Sequence, residues 1–428
     1  MRHLKKYFAF LLPLMLAPFP AFAEVNSGDT AWMLTATALV MLMTPGLAFF
    51  YAGMVRSKNA ASTLYQNIIS LGVIGLLWVV VGFSLAFSGG NGFIGDASKM
   101  MLAGVGQEPD GTATIPYILF MMYQMMFAII TPALMTGAFA ERVRFTSWLI
   151  VLVLWSLIVY SPVAHWVWAS TGWLFAKGAL DFAGGFVVHM TAGFSAIVAA
   201  IVIGKRRDFG GAHKPHDLGM IVLGTSLLWF GWFGFNAGSA LGANGLAAHA
   251  FTVTFISAAA AMLMWTLVDM IKDGKPTVMG GCIGVVAGLV AITPAAGYVT
   301  PSSAIIIGLL AGSVCNIVAR MVKGTFNIDD SLDVFACHGV GGLIGCIMTG
   351  LLATKAVNAA GGDGLLNGGS TVFAANMTGA VAVAVYSMVA TFIILKVVNI
   401  ISPLRVSDAD ENAGLDSSQH GEKINSAS

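Results

Sequence analysis

The chain has 428 residues, of which 57% are hydrophobic and only 10% charged, and its formal net charge at pH 7 is +1. Soluble domains carry about 25% charged residues. This composition therefore excludes an ordinary soluble globular protein and predicts an integral membrane protein with many spans.

The first 23 residues have the three parts of a secretory signal peptide. They comprise a basic start, an apolar run over 8–16 and an Ala-Phe-Ala cleavage signal at 21–23. We therefore predict that residues 1–23 are a cleaved signal peptide and that the mature chain starts at Glu24. An uncleaved first helix is the alternative.

Long windows without Asp, Glu, Lys or Arg recur along the remaining chain, and each crossing of a membrane needs about 20 apolar residues. Eleven transmembrane helices are predicted, at about 30–55, 62–88, 114–139, 145–163, 183–204, 218–238, 247–271, 277–294, 303–322, 333–353 and 371–400.

Lys and Arg are concentrated in the short connections after the odd-numbered spans. The positive-inside rule makes these connections cytoplasmic, with the mature N-terminus outside and the C-terminus inside. Within a transmembrane domain over about 24–402, the spans divide into a five-plus-five inverted repeat, at about 30–204 and 218–353, and an eleventh helix at about 371–400. A polar, cytoplasmic tail follows at 403–428.

Two histidines occupy matching places in the two repeats. His189 lies in the fifth span and His338 in the tenth, and Gly193 and Gly342 follow them by four residues. Imidazole is a poor guest in hydrocarbon, so histidines inside a membrane indicate a function. At about 1.5 Å per helical residue the two approach the membrane midplane from opposite sides. We predict a single polar site at the interface of the repeats.

Each histidine also follows an aspartate, Asp181 or Asp333. Asp181 is either a buried carboxylate that attracts a cation or a helix cap. For Asp333 the cap is the favoured interpretation.

The four cysteines lie inside apolar spans without the spacing of a metal or redox motif, at Cys282, Cys315, Cys337 and Cys346. We therefore expect buried, unreactive thiols.

Aromatic and hydroxyl side chains cluster toward the predicted outer face, at Tyr123, Phe127, Trp168, Phe235 and Ser239. Single aromatic residues at this depth usually form an interfacial belt. A cluster with a hydroxyl acceptor also suits a desolvated cation, through cation–π attraction and hydrogen bonding.

Six sequence motifs, spread over the chain, together resemble those of a known protein family. They are FYAGMVRSKN from Phe50, AFAERVRF from Ala138, GALDFAGGFVVH from Gly178, GWFGFNAGSA from Gly231, DVFACHGVGGLIG from Asp333 and GLDSSQHGE from Gly414. Together, and in this order, they resemble the ammonium transporter (Amt/Mep/Rh) family, specifically its bacterial Amt branch.

The resemblance implies roles for individual residues. An outer ammonium site would use Trp168, Ser239 and Phe127. A phenyl gate would consist of Phe127 and Phe235, and a twin-histidine pair of His189 and His338, with Asp181 as the buried aspartate below the outer site. Tyr123 departs from the phenylalanine expected in close bacterial relatives.

The resemblance also implies a mechanism and partners. The protein would recruit NH₄⁺ outside, deprotonate it and conduct NH₃ past the histidines, with or without separate transfer of H⁺. It would be a homotrimer in the bacterial inner membrane that serves nitrogen uptake, with a PII-type signal protein at its cytoplasmic mouth. Residues 403–428 would be a cytoplasmic regulatory tail packed under the bundle, whereas their polar composition alone would suit a disordered tail. No enzymatic activity, cofactor, metal or nucleic-acid partner is expected.

Two other functional classes compete with transport. Few residues follow Pro403, so a fused signalling domain is not expected, although sensing through a partner stays open. A redox enzyme with haem between the histidines is disfavoured, because other polar cofactor contacts are missing from the sequence.

Overall fold

The computed structural model describes residues 24–211 and 214–424, and this part of the chain forms a bundle of eleven apolar helices. Ten are long enough to cross a membrane, and the eighth, with 15 residues, is shorter. The helices are α1 (Ser27–Met54), α2 (Ser57–Phe87), α3 (Tyr117–Phe139), α4 (Phe145–Ala176), α5 (Gly185–Ile203), α6 (Leu218–Ala240), α7 (Gly245–Asp273), α8 (Val278–Ile292), α9 (Pro301–Gly324), α10 (Phe335–Leu352) and α11 (Thr371–Ile401).

The predicted all-α polytopic fold is confirmed, and each predicted span corresponds to one helix. The largest difference is in α4, which passes its predicted end near residue 163, continues to Trp168 and resumes after a break. The helix accommodates Pro162 because a wide turn at Ser156–Tyr160 places this proline in the first turn of a new segment. The orientation of the termini stays a prediction, and the predicted signal peptide, residues 1–23, lies outside the described residues.

Polar side chains define where several helices begin. In each case the side chain accepts a hydrogen bond from the backbone N–H three residues further on, and the residues are Asn26, Asp217, Asn244, Thr277 and Thr300. The first N–H groups of a helix have no partner within it. These caps therefore stabilise the starts of α1, α6, α7, α8 and α9.

Helices α5 and α10 meet in the centre of the bundle through glycines. A Cβ atom at Gly193 would collide with the backbone of Gly339, and one at Gly342 would lie 3.0 Å from the Cβ of His189. Small residues allow this approach because transmembrane backbones can then come into direct contact. The two helices that carry the predicted histidines are thus held backbone to backbone.

Charged residues join the helix ends at one end of the bundle, which the predicted orientation makes cytoplasmic. Glu141 pairs with Arg56 at 2.6 Å and with Arg206 at 3.2 Å, and Arg206 also pairs with Asp329 at 2.9 Å. Burial raises the pKa of Glu141, but the hydrogen bonds and charges of the two arginines outweigh it and hold that pKa at about 2. Glu141 is therefore ionised at neutral pH.

The segment after α11 returns to this same end and packs against the bundle. A short helix, α12 (Asp408–Ala413), precedes a turn in which Asp416 accepts hydrogen bonds from two backbone N–H groups near the start of α2. His420 packs edge-on against the rings of Tyr65 and Phe145. The described part of the tail is therefore docked under the bundle, as the family resemblance implied.

Candidate functional site

The two histidines singled out in the sequence meet in the centre of the bundle. The Nδ1 atoms of His189 and His338 lie 3.2 Å apart, and the ring centroids are separated by 5.3 Å. Both side chains are buried. The Nε2 atom of His189 is buried and has no hydrogen-bond partner, so one polar atom of the pair is left unpaired.

Each histidine lies in a wide helical turn at the start of its helix. The turns are Gly185–Met190 in α5 and Phe335–Val340 in α10. Such turns contain one residue more than an α-helical turn, and they are frequent at functional sites. Their occurrence in both helices extends the correspondence between the two halves that the sequence indicated.

An aspartate stands eight residues before each histidine and caps its turn. Asp181 accepts hydrogen bonds from the N–H groups of residues 184–187, and Asp330 accepts them from two N–H groups at the start of α10. The prediction that Asp333 caps this helix is wrong. Asp333 has a left-handed backbone with φ of 60°, and its carboxylate pairs with Lys323 at 2.8 Å.

The carboxylate of Asp181 is fully engaged by its helix. Four N–H donors occupy its two oxygens, so Asp181 caps the helix, and its side chain is also buried. Its backbone carbonyl also accepts a hydrogen bond of 3.0 Å from Nε1 of Trp168. Asn376 of α11 fixes this segment by pairing with both backbone groups of Leu180.

A narrow apolar cavity, here called the lumen, leads to the histidine pair. Its volume is about 10 Å³, and its walls are apolar apart from the imidazoles and the indole of Trp232, with Leu47, Ile130 and Val286 among the lining residues. A space of about 10–15 Å³ holds one water-sized molecule. The lumen therefore has room for one small molecule and none for a hydration shell.

Two phenyl rings close the lumen at one end. The centroids of Phe127 and Phe235 lie 4.3 Å apart, and both side chains are buried. Phe235 lines the lumen, whereas Phe127 lines the cavity on the other side of the rings. The indole of Trp232 stacks on His189 at 5.5 Å and donates a 2.9 Å hydrogen bond to Thr293, which fixes the wall between the rings and the histidines.

A second cavity, called the outer cavity after its predicted orientation, lies beyond the phenyl rings. It measures about 130 Å³ and is lined by Trp168, Ser239 and Phe127, among others. The rings of Phe127 and Trp168 meet edge to face at 5.8 Å. The hydroxyl of Ser239 donates to the carbonyl of Phe235 at 2.9 Å, which leaves its oxygen lone pairs for a donor in the cavity.

Tyr123, which stands where close bacterial relatives are expected to have phenylalanine, lines the outer cavity. Its hydroxyl lies 2.9 Å from the carbonyl oxygen of Gly234, 2.8 Å from that of Phe235 and 3.3 Å from Oγ of Ser239. A Cβ atom at Gly238 would lie 2.6 Å from this hydroxyl. The added polar group therefore bonds the irregular end of α6 and is not free in the cavity.

A third cavity, the vestibule, opens at the opposite end of the bundle. Its volume is about 430 Å³, and Arg206, Lys323 and Asp333 contribute to its lining. Arg206 is paired with Asp329, and Lys323 with Asp333, so the charges named here are balanced in pairs. The outer cavity, the lumen and the vestibule follow one another along the bundle.

Sequence reasoning missed three residues of this region. Asp330 was overlooked, although its offset of eight residues from His338 equals that of Asp181 from His189. Trp232 and Gln124 were not selected, and only the fold shows that Trp232 stacks on a histidine and that Gln124 lines the outer cavity.

The cysteines take no part in a metal site or a disulfide in the part of the chain that the structure describes. All four are buried, which confirms the predicted burial of these thiols. No group of three or more His, Cys, Asp or Glu side chains within residues 24–211 and 214–424 is arranged to hold a metal ion.

Comparisons with known proteins agree with this architecture. The model of the Ammonium Transporter Family matches residues 31–424. An ammonium transporter of Bacillus subtilis is 50% identical over 400 residues, which cover 93% of this chain and 98% of the relative. Among solved structures, Saccharomyces cerevisiae Mep2 has a TM-score of 0.84 at 39% identity over 90% of this chain and 91% of that chain, and a "Sensor Amt Protein" has 0.85 at 30% identity over 92% and 98%. The chain therefore belongs to the ammonium transporter family.

Proposed function

We propose that this protein transports ammonium by binding NH₄⁺ in the outer cavity, removing one proton and conducting NH₃ through the lumen. One observation carries the proposal: an apolar lumen of about 10 Å³ is closed by two phenyl rings and contains a pair of buried imidazoles. Membership of the ammonium transporter family supports the substrate.

The lumen selects against ions because it cannot replace their hydration shells. Moving an ion of the size of ammonium from water into a medium of low dielectric costs several kcal/mol even after the protein relaxes. NH₄⁺ and K⁺ have the same charge and similar size, but only NH₄⁺ can lose a proton and become neutral. Discrimination against K⁺ then follows from chemistry that K⁺ lacks.

The outer cavity provides the contacts that a dehydrating cation needs. The electron-rich faces of Phe127 and Trp168 attract a cation, and the lone pairs of Ser239 accept an N–H donor. Cation–π contacts contribute about 0.5–2 kcal/mol each, depending on desolvation. This arrangement supports recruitment of NH₄⁺ immediately outside the phenyl gate.

The histidine pair offers complementary hydrogen bonds to a neutral guest. If both rings are neutral, the Nδ1–Nδ1 bond requires one ring to donate and the other to accept. The donor ring then carries a lone pair on Nε2, and the acceptor ring carries an N–H there. Ammonia, which is both donor and acceptor, can bond to both.

The fate of the released proton divides the proposal into two forms. In the first, the proton returns to the outer side and transport is electrically neutral. In the second, it crosses separately along the imidazole pair, and transport carries a current. The 3.2 Å distance between the Nδ1 atoms of His189 and His338 is compatible with both forms, because it allows proton transfer between the rings without requiring it.

We infer the orientation, membrane location and assembly of the protein from its resemblance to the family. We place the N-terminus outside and the tail inside the bacterial inner membrane, with the signal peptide removed, and we assign the protein to a homotrimer. The vestibule and the docked tail lie at the same end of the bundle, which suits a PII-type signal protein that covers the inner mouth.

Partner-based sensing is a second candidate. One solved structure similar to this chain is that of a "Sensor Amt Protein". Here the tail is linked to the segment that follows α5, because Glu411 pairs with Arg405 and accepts a hydrogen bond from the backbone N–H of Arg207. A change in the pore could therefore reach a bound partner through the tail.

Reconstituted protein in liposomes tests the proposal. An inward ammonium gradient should produce ammonium uptake, while an equal potassium gradient should produce no flux. Solid-supported membrane electrophysiology on the same preparation separates the two forms of the mechanism, because only the proton-coupled form gives an ammonium-dependent current.

Alanine variants test the role of the pair. We expect His189→Ala and His338→Ala each to abolish ammonium uptake or to admit potassium. His249→Ala is the matched control, because His249 bonds the carbonyl of Val299 and does not line the lumen. Unchanged uptake and selectivity in both pore variants would refute their role. Absence of uptake by the unaltered protein would refute the transport proposal.

A further inference from the structure

The imidazole of His189 is held by a hydrogen bond at only one of its two nitrogens. Its Nδ1 atom lies 3.2 Å from Nδ1 of His338, whereas its buried Nε2 atom has no partner in the protein. The torsion that turns an imidazole about its bond to Cβ has broad minima, so it does not define the plane of the ring by itself. Neighbouring side chains must therefore hold that plane.

Two aromatic rings of α6 lie nearly parallel to this imidazole. The indole of Trp232 has its centroid 5.5 Å away with 19° between the planes, and the corresponding values for Phe235 are 5.9 Å and 27°. Aromatic pairs favour offset parallel arrangements with centroids about 4.5–7 Å apart. A rotation of the imidazole out of this plane would disturb both ring contacts and move Nδ1 away from His338.

The indole of Trp232 is in turn anchored by Thr293, the residue that follows α8. Nε1 of Trp232 donates a 2.9 Å hydrogen bond to Oγ1 of Thr293, and the hydroxyl of Thr293 donates at 2.8 Å to the carbonyl of Leu289. Because this donation uses the single hydroxyl proton, the oxygen lone pairs remain to accept from the indole. Thr293 is buried, but it is not among the residues that line the lumen.

The anchor acts where α6 is least regular. Trp232 ends the α-helical part of α6, and the wide turn Phe233–Ala237 follows it directly. A wide turn departs from the regular helical hydrogen-bond pattern. A side-chain bond to another helix therefore gives the indole a fixed reference that does not depend on this irregular backbone.

We propose that Thr293 is a positioning residue for conduction, because it fixes the indole of Trp232 and thereby the plane in which the His189 imidazole meets His338. The inference rests on the proposed function and adds to it a residue that does not line the path of the guest. Neither Thr293 nor Trp232 lines the outer cavity. Loss of the anchor should therefore slow passage through the lumen and leave recruitment of ammonium unchanged.

Two substitutions at Thr293 test this role by ammonium uptake in liposomes. Thr293→Val removes the hydroxyl at nearly constant shape and leaves the indole N–H unpaired, whereas Thr293→Ser keeps the hydroxyl. The maximal rate of Thr293→Val should fall about 3- to 10-fold, the factor that corresponds to one neutral hydrogen bond. Its half-saturating ammonium concentration should stay within about twofold of that of the unaltered protein, and Thr293→Ser should restore the maximal rate.

The matched control is Thr391→Val in α11. The indole of buried Trp155 donates to Oγ1 of Thr391 at 3.1 Å and to Oγ of Ser195 at 3.0 Å, and these three residues do not line the lumen. Each valine variant removes a hydroxyl acceptor from a buried indole, so both should unfold at a lower temperature than the unaltered protein. Only Thr293→Val should slow uptake, because a rate that merely followed stability would fall in both.

A double variant tests whether Thr293 acts through Trp232. Trp232→Phe keeps an aromatic ring beside His189 but has no indole N–H, so adding Thr293→Val to it leaves no donor without a partner. Trp232→Phe should be slower than the unaltered protein, and the double variant should match Trp232→Phe, since the two residues share one interaction. This comparison also decides the question if Thr293→Val alone fails to fold, because the double variant contains no orphaned indole N–H.

The outcomes separate this inference from the transport proposal. An unaltered maximal rate in Thr293→Val, an equal loss in Thr391→Val or no recovery in Thr293→Ser overturns the positioning role while transport by the unaltered protein stands. A raised half-saturating concentration at unchanged maximal rate also overturns it, because that pattern indicates an effect on recruitment. A double variant slower than Trp232→Phe shows that Thr293 acts by another route and overturns it too. If the unaltered protein moves no ammonium, both proposals fail.

Discussion

Replacing Gly193 by alanine should separate the two imidazoles. The added methyl group would collide with the backbone of Gly339, which cannot rotate away as a side chain can, so α5 and α10 must move apart. The Nδ1 atoms of His189 and His338 are 3.2 Å apart, and N–H hydrogen bonds reach little beyond that distance. A shift of a few tenths of an ångström is therefore enough to break the bond between the imidazoles.

The same geometry gives a graded series of substitutions. Overpacking a well-packed core costs about 1–3 kcal/mol, and we expect Gly193→Ala to lose about that much free energy of unfolding together with most ammonium uptake. A Cβ atom at Gly342 would lie 3.0 Å from the Cβ of His189, so Gly342→Ala needs a smaller adjustment and should have a milder effect. A Cβ atom at Gly72 would meet nothing within 4 Å, which makes Gly72→Ala the matched control.

The assay pairs thermal unfolding of the purified variants with ammonium uptake in liposomes. Gly72→Ala should unfold no earlier than the unaltered protein, because alanine favours a helix over glycine by about 1 kcal/mol. Gly193→Ala with the stability and uptake of Gly72→Ala would refute the argument. Such a result would mean that the contact between α5 and α10 does not set the spacing of the histidines.

Two further predictions concern the charged residues. Asp330→Ala should lower the free energy of unfolding by about 1–2 kcal/mol, because it uncaps α10. Asp333→Ala should cost about 0–1 kcal/mol, because it removes one partly exposed ion pair with Lys323. Equal losses of thermal stability in the two variants would contradict the assignment of the cap. Glu141 has its pKa lowered from 4.5 to about 2, so the stability it provides is complete above pH 4.5 and is lost as the pH falls toward 2. The difference in unfolding temperature between the unaltered protein and Glu141→Gln should therefore shrink as the pH is lowered from about 6 to about 3, because the stabilisation by ionised Glu141 begins to be lost within this range.

Much of the fold could be predicted because lipid imposes simple constraints on a sequence. Backbone groups in hydrocarbon must be bonded within a helix, so charge-free windows of sufficient length correspond directly to spans. The glycines four residues after each histidine were also visible, and the structure shows the contacts that require them. The boundaries of α4 were less predictable, because a wide turn lets the helix continue past Pro162.

The missed residues were those whose role depends on a neighbour from another helix. Gln124 on a membrane helix could face lipid headgroups, protein or a cavity, and only packing against α4 and α6 decides among them. Asp333 is the aspartate nearest to His338 in the sequence, but Asp330 has the offset of eight residues that Asp181 has from His189, and this equal offset in both halves is the better signal. A comparison of the two repeats by position would have found it.

The hydrogen-bonding capacity of the outer cavity and the lumen explains why, on the proposed mechanism, ammonia rather than water would pass. In the outer cavity a guest meets the hydroxyl of Ser239 and several aromatic rings, but in the lumen it meets only the Nε2 positions of the histidines and apolar walls. Water in bulk makes more and stronger hydrogen bonds than ammonia does, and a polar molecule that enters an apolar space without replacing those bonds is penalised for each one lost. Bonded to one donor and one acceptor Nε2 position, ammonia and water each leave two groups unpaired, but the two N–H groups that ammonia leaves are weaker hydrogen-bonding groups than the O–H and the lone pair that water leaves, so ammonia loses less. On the proposed mechanism, the small number of polar atoms in the lumen therefore excludes ions by their charge and disfavours water by its hydrogen bonds.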